Sequence, residues 1–281
     1  MSITIIHSDQ LEPSLQQQII TLLGDNLHHR QGYHVVDSEV RLSASQLQAL
    51  CDSYQVDINI LPEHFDPKAV KLVITDMDST LINIECIDEI ADFLGIKSQV
   101  SAITESAMRG EIDFNNSLER RVGLLKGLDS EVLTQVYNQR LKLNPGAEDL
   151  IKGLHAHDIK IALVSGGFTF FTERLKQRLH LDFARANFLE IDNHKLSGKI
   201  HGTIVNATAK ANFLAEICQQ LGVSTDQAIA VGDGANDLEM LRLSGLGVAY
   251  RAKPKVQEQA NIALNYSGLD SVLHLLCLDE G

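Results

Sequence analysis

The chain of 281 residues carries 24 Lys and Arg against 37 Asp and Glu, a formal net charge of −13 at pH 7, with 44% hydrophobic and 22% charged residues. That is the composition of an ordinary globular protein with room for one large domain or two unequal ones. The acidic balance argues against nucleic acid as a partner, which would need a surplus of Lys and Arg; a phosphate-bearing small molecule stays open, because one divalent cation and two local basic groups reverse the sign inside a pocket. Cys51, Cys86, Cys218 and Cys277 are too scattered for a zinc or redox motif, so reduced thiols in a cytoplasmic protein are expected. No signal peptide and no membrane partner are expected, since the N-terminus lacks a basic start and no run approaches the ~20 apolar residues that cross a bilayer.

In chain order, Ile3–Ile6 reads as a strand, Leu15–Leu23 as a helix, Val35–Leu42 as an alternating strand, Ser45–Tyr54 as a helix and Val56–Leu61 as a further strand. This makes a small α+β module, 1–65, followed by a polar link, Glu63–Pro67. Val70–Thr75 is a continuous β-rich run, the pattern of a strand buried on both faces. Similar runs recur at Ile159–Val164, Ala228–Val231, Leu246–Ala249 and Asn261–Leu264, with helical patterns such as Ala211–Leu221 and Asp237–Leu243 between them. Alternation of this kind predicts an α/β fold, a parallel sheet with helices on both faces, over 71–281. Strand signals vanish between 87 and 143, where Asp88–Leu94, Gln99–Met108, Phe114–Leu125 and Ser130–Tyr137 are amphipathic, so a helical insertion is expected after the first strand of that sheet. Ala186–Ile191 and Leu196–Ile200 read as strands around a turn-like Asp192-Asn193-His194-Lys195.

Chemistry-bearing residues cluster where these strands end. Asp76 and Asp78 close the first run; side chains two apart in extended chain leave the same side of the backbone, and two carboxylates so close call for a cation or a proton. Magnesium, which prefers oxygen ligands, would serve, although one Asp could simply cap the next helix. Ser165-Gly166-Gly167 follows the strand Ile159–Val164 and could offer backbone amides and a hydroxyl to an anion, or be a plain strand-to-helix turn. Gly232-Asp233-Gly234-Ala235-Asn236-Asp237 follows Ala228–Val231 and suits a metal site or a capped turn. Lys210 by itself would be a solvated surface residue. The strand-end segments all fall at carboxyl ends of predicted parallel strands, where open α/β sheets bind ligands.

The ordered set DMDST, SGG, Lys210 and GDGAND resembles the four motifs of haloacid-dehalogenase (HAD)-type phosphatases, and the resemblance spans Lys71 to the C-terminus. It implies a HAD-type Rossmann-like core with a helical cap, and a reaction in which Asp76 is the nucleophile that becomes an aspartyl-phosphate while Asp78 acts as acid and then base. It further implies a Mg2+ cofactor held by Asp76, the backbone carbonyl of Asp78 and Asp233, and a phosphoryl group held by Ser165, Gly166 and Lys210 with support from Asn236. Asp237 would orient Lys210 or a metal-bound water.

Ile84-Glu85-Cys86-Ile87-Asp88-Glu89 and Met108-Arg109-Gly110-Glu111-Ile112-Asp113-Phe114 resemble the phosphoserine phosphatase family more narrowly. On that resemblance Glu85 takes the substrate ammonium, Arg121 its carboxylate, and Phe114 closes over it, so that O-phospho-L-serine would be hydrolysed to serine and phosphate in the last step of serine biosynthesis. Phe114 and Arg121, seven apart, would share one helix face, and guanidinium reads a carboxylate bidentately. Taken singly, Glu85 could be a helix-start acid, Arg121 a solvated partner of Glu119 or another acid, Phe114 core, and Met108 packing beside the pocket. Cys86 reads as a small buried residue rather than a reactive thiol, and the histidines form no metal motif. Two other readings stand beside this one: an enzyme of the same superfamily acting on another phosphate or transferring it to an alcohol such as homoserine, and a non-catalytic amino-acid-binding regulator. The N-terminal module partly resembles small ACT-type regulatory domains; serine sensing, formation of a homodimer and simple packing are the roles open to it.

Overall fold

The computed structural model describes residues 2–108 and 111–277. Arg109 and Gly110 of the cap motif, and the side chain of Met108, lie outside the described residues.

Residues 2–60 fold as β1 (Ser2–Ile6), α1 (Pro13–Leu23), β2 (Leu27–Arg30), β3 (Tyr33–Ser38), α2 (Ala44–Tyr54) and β4 (Ile58–Ile60). The four strands form an antiparallel sheet in the order β2-β3-β1-β4, the split βαβ arrangement of ferredoxin-like folds. Strand β2 is absent from the sequence reading. Leu27 is the one apolar side chain in Leu27-His28-His29-Arg30 and the rest are exposed, so this edge strand shows no alternation; it is held by pairing to β3 across a turn in which Gly32 adopts a φ of 84°. Helix α2 starts where a capping box forms: Ser43 Oγ accepts from the Gln46 amide at 3.3 Å and Gln46 Oε1 from the Ser43 amide at 2.9 Å.

The second sheet has seven strands. β5 (Leu72–Asp76) is central; it is followed by the cap helices α3 (Cys86–Phe93), α4 (Lys97–Met108), α5 (Phe114–Leu124) and α6 (Glu131–Gln139). The chain then runs through α7 (Ala147–Ala156), β6 (Lys160–Phe168), α8 (Thr169–Leu179), β7 (Phe183–Asp192) and β8 (Lys195–His201). It ends with α9 (Ala207–Leu221), β9 (Ala228–Gly232), α10 (Leu238–Leu243), β10 (Leu246–Tyr250), α11 (Pro254–Gln257), β11 (Ile262–Leu264) and a 3-10 turn, Leu269–Leu276. The sheet order is β11-β10-β9-β5-β6-β7-β8, parallel except for the antiparallel edge strand β8. Asn193 and His194 turn β7 into β8 with φ of 49° and 63°, the left-handed pair that matches hairpin twist.

Strand β5 explains why the core sits on both faces. Leu72 and Ile74 pack with Phe213, Leu214 and Leu241 from α9 and α10, whereas Val73 and Met77 belong to the opposite cluster with Leu150, Phe171 and the cap. The chain leaves β5 toward β6 and β7, then returns to the other side of β5 for β9 and β10. The topological switch therefore lies beside β5, where a crevice opens at the strand ends. Cap helix α5 rests on β8, and Leu196 and His194 bond to the residues after α5 through Gly127 N–Leu196 O, 2.8 Å, and Ser130 N–His194 O, 2.9 Å.

The antiparallel module abuts the β11 edge of the larger sheet. Asn59 of β4 bonds both backbone groups of Ala263, and the Asp57 carboxylate accepts the amides of Asn265, Tyr266 and Ser267 at 2.8–3.0 Å. Behind them His7 Nδ1 lies 3.0 Å from His274 Nδ1, and Tyr33 stacks on His274 with centroids 4.5 Å apart. Asn59 Nδ2 lies 3.2 Å from His7 Nε2, so His7 accepts there and donates from Nδ1 to an accepting His274, which leaves both rings neutral. Burial pushes His274 down to about 4 and His7 well below the usual histidine range. A folded-state pKa below the unfolded one gives stability that is complete above pH 6.5 and lost as the pH falls toward 4. Urea unfolding should lose up to about 3 kcal/mol over that interval on account of His274, and His274→Gln should remove that part of the decline; equal pH slopes for the two proteins would refute it.

Candidate active site

The site forms where three strand ends meet. Asp76 is the last residue of β5; register pairs it with Val164 of β6, and its predecessor Thr75 with Val231 of β9. Ser165-Gly166-Gly167 and Gly232-Asp233 consequently flank Asp76 on either side. Beyond Asp76 the chain coils tightly over Met77–Leu81, with Ser79 at a φ of 58°. A cavity of about 630 Å³ lies over this point, roofed by the cap. It brings together Asp76, Asp78, Glu85, Phe114, Arg121, Ser165, Gly166, Asp233 and Asn236; of the expected residues Lys210 and Asp237 do not line it, Lys210 lying directly beneath against Asp76 and Asp237.

The two aspartates take separate partners. Asp76 makes no helix-capping bond; its Oδ1 lies 2.5 Å from Lys210 Nζ. Asp78 does support a helix start, for its Oδ1 accepts from the Cys86 amide at 2.8 Å, but Oδ2 takes Ser165 Oγ at 3.2 Å and faces the cavity. Capping and a role in the cavity thus coexist in one carboxylate. Burial, above all, raises Asp78 despite the Cys86 and Ser165 bonds, which favours a protonated acid.

Lys210 is fully buried, which overturns the surface alternative. Helix α9 starts on Asn206, whose side chain accepts from the Ala209 amide at 3.1 Å; that fixes the first turn and aims Lys210 inward. Its Nζ reaches Asp237 Oδ1 at 2.7 Å as well as Asp76, while Asp237 Oδ2 holds the Gly234 amide at 2.9 Å. Burial alone would lower the ammonium, but the charges of Asp237 and Asp76 overcome it and hold the pKa raised. Burial also raises Asp76 against the pull of Lys210, and Asp233 is pushed up to about 6 by burial and the Asp237 charge.

Carboxylate oxygens of Asp76, Asp233 and Asp237 lie within 4.8 Å of one another. Three carboxylates around one ammonium leave negative charge that a divalent cation would settle, and the all-oxygen donor set suits such a cation. Of the cluster, Asp237 is spent on Lys210 and Gly234; Asp233 has a hydrogen bond from Thr80 at 3.0 Å. Thr80 is a site residue the sequence reading missed. The DMDST segment itself was the available signal.

Close approach explains the paired glycines of β6. A Cβ on Gly166 would lie 2.9 Å from Phe114 Cζ, and one on Gly167 would lie 2.7 Å from Asp78 Oδ2. A register shift between Val164 and Phe168 bends this strand end. The Gly167 amide is drawn onto Ser165 Oγ at 2.8 Å, and the Gly166 carbonyl onto Asn187 Nδ2 at 2.7 Å.

The cap supplies the rest of the lining. Glu85 precedes α3 without capping it and keeps solvent access at the cavity wall; Oε1 accepts from Ser79 Oγ at 2.7 Å, and partial desolvation with the nearby Asp78 charge raises its carboxyl. Arg121 does not pair with Glu119. Among the described residues it forms no ion pair; Nε makes one long bond, 3.4 Å, to the Ser117 carbonyl, and the acids of Asp88, Glu85 and Asp78 face it. Asp88, half-buried and lining the same cavity, is a second residue missed from sequence, where it read as an ordinary first-turn acid. Cys86 is buried, and burial raises its thiol, which disfavours the thiolate. Asn206 Nδ2 reaches Asn115 Oδ1 at 3.2 Å, tying cap to core at the cavity rim.

Residues 70–245 match the haloacid dehalogenase-like hydrolase family. The phosphoserine phosphatase of a Polaromonas species is 50% identical over 224 residues, covering 78% of this chain and 95% of that one. The chain belongs to the phosphoserine phosphatase family of haloacid dehalogenase-like hydrolases. A probable phosphoserine phosphatase from Vibrio cholerae, solved unliganded, superposes with a TM-score of 0.85 at 38% identity, covering 98% of this chain and 86% of the other. A phosphoserine phosphatase solved as a phospho-aspartyl intermediate analogue superposes with a TM-score of 0.69 at 40% identity, over 73% of this chain and 98% of that one. As a member of this family the chain is a phosphatase, and among its described residues no helix is long and apolar enough to cross a membrane.

Proposed function

We propose that this enzyme hydrolyses O-phospho-L-serine to serine and phosphate in the cytoplasm, as the last step of serine synthesis. The observation that carries it is the cavity itself: a carboxylate, Glu85, an uncommitted guanidinium, Arg121, and the Asp76–Lys210 phosphate end open into or border one space. A zwitterion bearing a phosphate needs those three receptors and no others.

In this reading Asp76 attacks phosphorus in line and becomes an aspartyl-phosphate, and Asp78 passes a proton to the departing serine oxygen. Asp78 then takes a proton from the water that cleaves the intermediate. Lys210, Ser165 Oγ and the Gly166 amide hold the equatorial oxygens, with Asn236 beside them. Mg2+, held by Asp76, Asp233 and the Asp78 carbonyl, would offset charge between nucleophile and phosphoryl oxygens. Asp237 keeps Lys210 aimed at Asp76. Phe114, against Gly166, shuts the cap side and excludes water.

With Mg2+ present, phosphate should be released from O-phospho-L-serine in step with free serine, and added homoserine should not intercept it; phosphohomoserine formation would favour the transferase reading. Arg121→Ala should raise KM for phosphoserine about 100-fold and leave that for an aryl phosphate little changed. Equal effects on both substrates would mean that the cap reads something other than the carboxylate.

A further inference from the structure

Ser117 stands out among the buried polar groups. It is 1% exposed and lines the active-site cavity, yet among the described residues its Oγ has no hydrogen-bond partner. An orphaned buried hydroxyl is unfavourable, because folding strips its water and returns nothing. Helices commonly relieve a serine by turning its hydroxyl onto the carbonyl one turn back; here that carbonyl belongs to Asp113, which receives the Ser117 amide at 2.9 Å but not the Ser117 hydroxyl. Ser117 also stands at a telling place on α5. It lies three residues after Phe114 and four before Arg121, so the three side chains form one stripe along the face turned to the cavity. Its own carbonyl receives Arg121 Nε at 3.4 Å, which keeps the guanidinium beside it.

We propose that Ser117 is a specificity residue whose hydroxyl donates to the substrate α-carboxylate alongside Arg121. This deepens the phosphoserine reading and rests on it. Arg121 supplies charge and a planar fork to the carboxylate; a hydroxyl adds a third donor from the same helix and finds there the partner it lacks in the free protein. A site built to hydrogen-bond one group discriminates strongly against analogues without it, since its own donor is then left unpaired. The same hydroxyl is a liability to the free protein, so stability and affinity should respond to its removal with opposite signs.

The test is Ser117→Ala, assayed with phosphoserine, with phosphoethanolamine, which keeps ammonium and phosphate but lacks the carboxylate, and with phenyl phosphate. We expect KM for phosphoserine to rise about tenfold with kcat held, no change for the other two substrates, and an unchanged or higher melting temperature without substrate. Ser117→Thr, which keeps the hydroxyl, should retain more of the affinity than Ser117→Ala. An unchanged KM for phosphoserine would overturn the proposal, as would an equal rise for phosphoethanolamine, which would place the hydroxyl on the ammonium. Wild-type enzyme that releases no phosphate from phosphoserine would instead overturn the substrate assignment, and this inference with it.

Discussion

Asp76→Asn should abolish turnover, with kcat down by about 10^4-fold or more, and should remove the acid-stable, base-labile phosphoenzyme. The amide keeps the shape of the carboxylate but has no nucleophilic oxygen to offer phosphorus. The position leaves little room for a substitute: Asp76 is buried at a strand end, and Lys210 lies 2.5 Å from its Oδ1. Asp78 cannot take over, because one of its oxygens is bound to the Cys86 amide and the other to Ser165. Rapid quench with radiolabelled phosphoserine, followed by peptide mapping, measures the intermediate. Label that persists in the variant on another residue would move the nucleophile elsewhere.

Lys210→Met should be the most destabilising single change in the site. The side chain is fully buried between Asp76 and Asp237, and methionine of similar length leaves both carboxylates buried with no counter-charge. Breaking a buried ion pair by removing one partner costs about 3–5 kcal/mol. Urea unfolding in the presence of a chelator should show that loss. Adding Asp237→Asn to Lys210→Met should recover part of it, since one of the stranded charges is then gone. A divalent cation should also recover part, by taking over the neutralisation of Asp76. A single variant as stable as wild type would mean that the ammonium does not carry the charge balance assigned to it here.

Much of the fold was legible because its signals are local. The buried run of β5 and the 3.6-residue spacing of the cap helices follow from side-chain periodicity. What stayed hidden is held by pairing. Strand β2 has no apolar alternation of its own and exists through its ladder to β3, and the bend after Val164 carries the SGG segment past the point where sequence placed a simple turn. The contact of His7 with His274 spans nearly the whole chain, and no residue near either end announces it.

Asp76 and Asp78 are visible in the sequence as a pair, and the ordered motifs DMDST, SGG and GDGAND fall at the strand ends that line the cavity. Asp76 ends β5 and reaches the crevice by strand geometry, whereas Asp78 lies in the coil Met77–Leu81 that follows and is brought there by that turn. Sequence could not say which of the two is the helix cap, because that depends on where the Cys86 amide lands after the chain coils back. It could not take Lys210 off the surface either: 134 positions separate Lys210 from Asp76, and only the packing of α9 under the sheet buries the ammonium between two carboxylates. Nor could it distinguish Ser117 from any other helical serine, since its orphaned hydroxyl is a property of surroundings. The order of residues determined the reagents; tertiary packing decided which of them are dry, paired or left waiting for a ligand, because burial and partners are set by groups far apart along the chain.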